Sequence, residues 1–361
     1  MKIRFRKPPR VLRVHSVERK CTGRCICVTA SVNQKTIWFE SCDAELVAAP
    51  EAYGSFLLIP AQLFGSRLVI DDPVCETWRR NVDKITPLIS QWWDCDPPEF
   101  EVNECQVDNT PANGVALCFS GGVDSFYSLL RGPKAVDKLL CGIGYDVGIF
   151  DARRHACVDR SVRKVAAEFG VHPVFIATNL RSHPDFRMLN WEKTHGGALA
   201  AFAHLMAVDT GVLEISSSCS KDNDLPWGSR WDLDGNFSSS RVKIDHVGAE
   251  VWRSDKLRAI AQEPIVRRHL RVCWQCLNSQ FNCCKCEKCV RTMCVLETCG
   301  QLENYEVFER GKGLSETIDE LPPLKDPYFR VYENMLSQGL AKKTRDAVQR
   351  WLNRSRKAHA A

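Results

Sequence analysis

No run of about eighteen consecutive apolar residues occurs in the 361-residue chain, so no membrane-spanning helix is expected. The first residues are basic, Met1-Lys2-Ile3-Arg4-Phe5-Arg6-Lys7, yet neither an apolar stretch nor a small-residue cleavage site follows, which argues against a secretory signal. The sequence carries no internal repeat and no low-complexity tract, so neither a solenoid nor a long flexible linker is expected. Charge of one sign is not in large excess: 49 Lys and Arg against 44 Asp and Glu leave +5, too little to argue for a nucleic-acid partner by itself. The Gly-x4-Gly-Lys-[Ser/Thr] loop of the Walker A type is also missing.

What is present is ordinary for a globular protein, with 44% hydrophobic and 26% charged residues, and the length suggests two or three domains. Positive charge gathers in the first twenty residues and again over 342–357, either as a solvated surface or as a weak polyanion-binding face. The 19 cysteines stand out. A secreted disulfide scaffold would be shorter, and eight of the cysteines crowd between Cys273 and Cys299, so metal ligation in a reducing, cytoplasmic setting is the expectation. Most of the others read as small buried apolar residues.

Residues 1–110 are expected to form a β-rich accessory domain. Short apolar or alternating runs at 25–31, 36–40, 55–59 and 67–70, broken by Pro50, Pro60 and Pro73, read as strands. A helix over 74–93 follows, with Trp78, Val82, Ile85, Ile89 and Trp93 at helical spacing and Pro87 as a candidate kink. Cys21, Cys25 and Cys27 have a spacing that matches no common metal site.

The texture changes at Val115. Strands over 115–119, 138–145, 173–177 and 212–216 alternate with helices over 123–131, 159–169 (ending at Gly170) and 196–208 (ending near Gly211). That alternation predicts an α/β fold, a parallel sheet with helices on both faces. The boundaries expected are 111–270 for this domain, 271–300 for a cysteine segment and 301–361 for a helical extension with Val348, Trp351 and Leu352 on one stripe.

Between the first strand and helix of that domain lies Ser120-Gly121-Gly122-Val123-Asp124-Ser125. Two glycines let backbone approach a polyphosphate, and the turn aims N–H groups at the anion where a helix N-terminus adds partial positive charge. Ser120 and Ser125 add hydroxyl donors, and Asp124, repelled by bare phosphate, suits Mg²⁺ ligation or helix capping. All six positions match the PP-loop signature, so the stretch resembles the N-type ATP pyrophosphatases. The resemblance implies a Rossmann-like sheet of the adenine nucleotide alpha hydrolase type. It also implies a reaction in which a carboxylate or amide oxygen attacks the α-phosphorus of ATP, pyrophosphate leaves, and a nucleophile displaces AMP.

The cysteine cluster offers Cys273, Cys283, Cys286 and Cys289 as Cys-x9-Cys-x2-Cys-x2-Cys, a knuckle arrangement suited to one tetrahedral Zn²⁺, with an iron–sulfur cluster as the rival. Cys276 and Cys284 compete as ligands, and Cys294 and Cys299 read as core. That spacing, about 150 residues after a PP-loop, looks like 7-cyano-7-deazaguanine synthase, over roughly residues 115–300. The likeness implies a structural zinc and an ATP-dependent, C–N-bond-forming ligase acting on a small carboxylate or deazapurine-like substrate. The chain departs from that family in its first 110 residues, in Tyr145-Asp146-Val147-Gly148 and in the stretch 225–231.

Further candidates are Asp146 and His195 for the nucleotide, Lys256 as a catalytic phosphate contact on a helix with Asp245, His246, Glu250 and Arg253, and Trp227, Arg230 and Trp231 for a planar substrate. Two alternative readings stand beside the ligase: a PP-loop tRNA sulfurtransferase with a catalytic cysteine pair, and a nucleotide-binding scaffold without turnover. In either, residues 1–110 would dock a protein or RNA partner; a homodimer is compatible with the sequence.

Overall fold

The computed structural model describes residues 9–105, 111–186, 189–273, 275 and 281–360. Its strands are β1 (Val11–Thr22), β2 (Cys25–Val32), β3 (Lys35–Ser41), β4 (Arg67–Cys75), β5 (Phe100–Cys105), β6 (Val115–Cys118), β7 (Lys138–Ile143), β8 (His172–Thr178), β9 (Val212–Ser216) and β10 (Lys243–Val247). The helices are α1 (Pro50–Phe64), α2 (Glu76–Trp93), α3 (Val123–Arg131), α4 (Ala152–Phe169), α5 (Trp191–Leu205), α6 (Arg253–Ile260), α7 (Pro264–His269), α8 (Glu287–Thr298), α9 (Leu314–Asp319), α10 (Phe329–Leu336) and α11 (Lys342–Ala360). The chain divides into two compact units: Met1–Ser120 with Gly132–Glu250, and Gly121–Arg131 with Val251–Ala361.

All ten strands lie in the first unit and form one sheet, in the order β10-β9-β6-β7-β8-β3-β2-β1-β4-β5. The run from β10 to β8 is parallel throughout, as is β1-β4-β5, while the pairs β8-β3, β3-β2 and β2-β1 are antiparallel. The sheet is therefore α/β and mostly parallel, and it continues across the expected boundary near residue 110 through Phe39 and Glu40 against Thr178 and Ala177. After β6 the chain builds β7 and β8 to one side, then crosses back to place β9 and β10 on the other. Such a reversal opens a crevice outside the carboxyl ends of the strands, where open α/β sheets bind ligands.

Alternation along the strands decides which helices cover which face. Leu140, Val174, Ile176, Leu213, Ile215 and Ile244 join a core with Phe56 and Leu57 of α1 and Ala201 and Phe202 of α5. The intervening Leu139, Cys141 and Phe175 turn the other way, where α4 packs on β7 and β8 with Val158, Val162 and Val165 buried. Gly170 ends α4 in the left-handed conformation, φ 66°, as expected of a residue just past a helix.

Several expectations change. The 55–59 run is not a strand but the middle of α1, and Asp245 and His246 lie on β10, not on a helix. The helix expected from residue 196 begins at Trp191, so His195 sits in its second turn. Pro87 does not split α2. Cys25 is bonded to Cys42 as a disulfide, which removes it from the Cys21, Cys25, Cys27 trio and is a bond that a reducing compartment would open. Among the described residues of this stretch, Arg13 pairs with Asp71, Arg19 with Glu45 and Lys20 with Glu18; Lys2, Arg4, Arg6 and Lys7 lie outside the described residues.

One buried acid is unanswered. Glu214, on β9 between Leu213 and Ile215, is fully buried, and neither carboxyl oxygen has a hydrogen-bond partner among the described residues. Burial pushes its carboxyl up; nearby Lys134 opposes this and Asp245 adds to it. Since the folded group titrates above the unfolded one, the folded state is favoured at acid pH. The penalty then grows as pH rises from about 4.3 through the folded value. Glu214→Leu is expected to stabilise the chain by about 1–3 kcal/mol at pH 7, with a smaller gain at pH 4. Urea unfolding at both values checks this, and an equal gain at both would refute the titration.

In the second unit, α3 packs on α6, α6 on α8, and α9 and α10 on α11. Trp351 and Tyr332 form its aromatic centre, edge to face at 4.8 Å, and Val348 and Leu352 are buried beside them, as the apolar stripe predicts. No helix among the described residues is long and apolar enough to cross a membrane.

Candidate nucleotide and metal sites

The glycine-rich loop begins where β6 ends. Phe119 N–H donates to the Leu140 carbonyl at 2.7 Å, and Ser120, exposed, is the last residue of the first unit. Gly121 has φ +73°, a left-handed conformation that side chains disfavour, and its carbonyl accepts from Arg271 N–H at 2.7 Å. The Gly122 carbonyl accepts the first α3 bond, from Phe126 N–H at 3.0 Å, and the Ser125 hydroxyl at 3.1 Å. The first N–H groups of α3 have no acceptor within the helix, which is the usual anion-binding condition. Val123 is buried, so only its backbone can serve a ligand.

Asp124 is 8% exposed, and α6 supplies its partners. Arg253 hydrogen-bonds one carboxylate oxygen through its guanidinium. The other oxygen, Oδ1, is buried without a hydrogen-bond partner among the described residues and lies 3.7 Å from Lys256 Nζ. Lys256 is 1% exposed. Burial lowers the Arg253 pKa to about 9, with Arg291 pushing the same way and Glu287 and Tyr328 opposing, which still leaves it charged at neutral pH. A glycine-rich turn, two sheltered cations and a carboxylate oxygen without a donor among the described residues are of the chemistry that would suit a polyphosphate with Mg²⁺. The sequence singled out Lys256 but not the pairing of Arg253; its place three residues earlier, on the same helical face, was the available signal.

Asp146 and His195 belong to the first unit. Asp146 is exposed in the turn after β7. His195 Nδ1 lies 3.1 Å from the Trp191 carbonyl and so donates to it, leaving Nε2 as an acceptor. Burial holds this imidazole below its usual range, against the pull of Asp234 and Asp146. Asp146 also acts on Arg181, whose guanidinium lies 4.6 Å over the Trp191 ring and donates to the Tyr145 carbonyl at 2.7 Å. The structure thus gathers Asp146, His195 and Arg181 at the carboxyl edge of the sheet. Beside them opens a cleft of about 390 Å³, its mouth included, lined by Phe56, Pro60, Leu180, Arg181, Phe186 and Trp191.

Residues 225–231 have a structural role. Gly196 N–H donates to the Gly228 carbonyl at 2.8 Å, and a Cβ at Gly196 would sit 2.0 Å from that oxygen, so this glycine answers a backbone approach. Ser229 and His246 both bond the fully buried Asp234, at 2.6 and 2.7 Å. Arg230 lies over Trp92 at 4.6 Å and pairs with Asp224 and Asp232, so it is engaged within the protein.

The four expected cysteines come together. The sulfurs of Cys273, Cys283, Cys286 and Cys289 all lie within 4.8 Å of one another, and each residue is buried. The pairs Cys273–Cys286 and Cys283–Cys289 are 3.9 Å apart. A tetrahedron with metal–sulfur bonds of about 2.3 Å has edges of roughly 3.8 Å. The cage therefore fits one ion such as zinc and is too tight for a cluster that places a metal under each sulfur. Cys284 is not part of it: its thiol turns to the Asn282 carbonyl at 3.7 Å, and burial pushes it up to about 11. Cys276 lies outside the described residues; Cys294 is buried on α8.

Asn282, which the sequence reading passed over, holds the knuckle. Its Oδ1 accepts from the Val272 and Cys273 N–H groups at 2.9 and 3.2 Å, and its amide donates to the Leu270 and Val307 carbonyls at 2.9 and 3.1 Å. Compared with models of protein families, with curated proteins and with solved structures, the chain matches none.

Proposed function

We propose that the chain is an ATP-dependent adenylating ligase. In this reading a carboxylate or amide oxygen displaces pyrophosphate from the α-phosphorus of ATP, and ammonia or an amine then displaces AMP from the adenylate. The observation that carries it is the arrangement around Asp124: a glycine-rich loop opening α3, with Arg253 and Lys256 of α6 on its carboxylate. Mg²⁺ would supply charge neutralisation on the phosphates. Asp124 Oδ1 is the oxygen available to it, and Arg253 and Lys256 would take the charge growing on the leaving pyrophosphate. Within the first unit, the aromatic cleft beside Arg181 suits a planar carboxylate such as a deazapurine. Zinc would have a structural role, since the four-cysteine cage leaves no coordination position open. Buried cysteines of this kind disfavour the sulfurtransferase alternative, whose thiols must be accessible and of low pKa.

Product analysis of ATP turnover with candidate carboxylates and ammonium tests the reading. AMP and pyrophosphate, absent with Asp124→Ala, are expected. ADP and phosphate would refute adenylation, and tight ATP binding with no product would favour the scaffold.

A further inference from the structure

The cleft of the first unit has apolar walls and a single charged group. Phe56 and Pro60 come from α1, Leu180 and Phe186 from the stretch after β8, and Trp191 is the first residue of α5. Thr194 adds a hydroxyl, which donates to the Asn190 carbonyl at 3.4 Å. Among the described lining residues only Arg181 carries charge, and none is a carboxylate. Residues 1–110 thus build part of the cleft wall, through α1.

Arg181 is held at the end of an aromatic column. Its guanidinium lies 4.6 Å over the Trp191 ring, Trp191 meets Tyr145 at 4.9 Å, and Tyr145 stacks on Phe202 at 5.0 Å. Nη1 donates to the Tyr145 carbonyl at 2.7 Å, so the same column fixes both the plane and one corner of the fork. The loop that presents it is pinned to β3: the Asn179 side chain accepts from Trp38 N–H at 3.0 Å and donates to the Thr36 carbonyl at 2.9 Å. That one bond to Tyr145 leaves most of the five guanidinium donors, and no carboxylate hydrogen-bonds Arg181 among the described residues. Exposed Asp146 acts on it through its charge alone.

A guanidinium fork held in place binds a carboxylate through paired, charge-assisted hydrogen bonds, and flat aromatic walls favour a flat ring. A neutral amide offers the same fork one oxygen and no charge, and its NH₂ would meet another donor. We infer that Arg181 is the specificity-determining residue of this cleft: it binds the carboxylate of a planar aromatic acid, and the cleft holds the acid while letting the corresponding amide go. That the acid is a substrate and the amide its product rests on the adenylation reading; the preference of the cleft does not.

Calorimetric titration of the full chain without ATP tests it, with indole-3-carboxylate, indole-3-carboxamide and cyclohexanecarboxylate as probes. The indole acid is expected to bind roughly 10- to 100-fold more tightly than its amide. Arg181→Gln is expected to remove that margin, weakening the acid by the same factor and the amide by less than about 3-fold. Arg181→Lys keeps the charge without the fork and is expected to fall between; it also serves should Arg181→Gln fold poorly. Phe186→Leu, which loses a ring but little apolar volume, is expected to weaken both indole probes alike, by about 3- to 10-fold. Equal affinity for acid and amide, equal losses of both in folded Arg181→Gln, cyclohexanecarboxylate binding as well as the flat acid, or no binding at all would each overturn the inference. If AMP still forms from some carboxylate in that case, the adenylation reading stands without Arg181. If the acid preference depends on Arg181 but no AMP is ever made, the binding role stands and the reaction is wrong.

Discussion

Lys256→Met is expected to lower ATP turnover by roughly 10²- to 10³-fold while leaving the chain folded, because one preorganised charge on a developing anion is commonly worth that much. Lys256 has its ammonium at 3.7 Å from Asp124 Oδ1 and is almost fully buried. Its worth depends on that shelter, since the same charge in water would be screened. Removal of a buried cation also relieves like-charge repulsion with Arg253, so melting temperature is expected to hold or rise as activity falls. Rates measured at saturating ATP, together with a melting curve, separate the two. Lost turnover with a collapsed fold would mean that Lys256 serves the packing of α6. Full turnover would remove it from the reaction.

The second large effect is expected at the cysteine cage. Cys289→Ser should purify without the ion and melt about 10 °C or more below the unsubstituted chain. Structural tetrathiolate sites couple metal binding to folding, and a loss of about 5 kcal/mol in a unit of this size moves the midpoint that far. Metal analysis and calorimetry check it; a stable, metal-free variant would show that the cage is held by packing alone. The cage opens directly onto α8: Cys286 is the N-cap residue and Glu287 the first helical residue, whose carboxylate meets Arg291 and, at 3.1 Å, the Tyr332 hydroxyl. Chelation is therefore expected to loosen the start of α8 before the first unit unfolds.

Local patterns were the legible part of this sequence. The four cysteines were readable because their spacing fixes their geometry, and α3 and β9 because their ends carry turn chemistry. The 55–59 run was misread because α1 is buried nearly all round, with Glu51 through Gln62 all inside, and a helix without a polar face has no helical period to show. β10 was misread for the opposite reason: Lys243, Asp245 and His246 give a strand with few apolar residues, whose polar side chains find partners in Lys134 and Asp234. The start of α5 was placed five residues late because Gly196 and Gly197 look like the turn before a helix, whereas Gly196 answers the close approach of the Gly228 carbonyl. The partners of Asp124 were not legible because they come from a helix far along the chain, and no local pattern announces such a contact.

That distance has a consequence for synthesis. Asp124 and Arg253 are 129 positions apart, yet α3 belongs to the same compact unit as the residues from Val251 onward. While the ribosome is still translating the sheet, α3 has emerged but the helix that it packs on has not. The surroundings of Asp124 are thus among the last features to be completed. A chain terminated before residue 253 would hold all ten described strands and nothing of the Arg253 and Lys256 cradle, so such a product is expected to fold in its first unit while lacking the partners of Asp124.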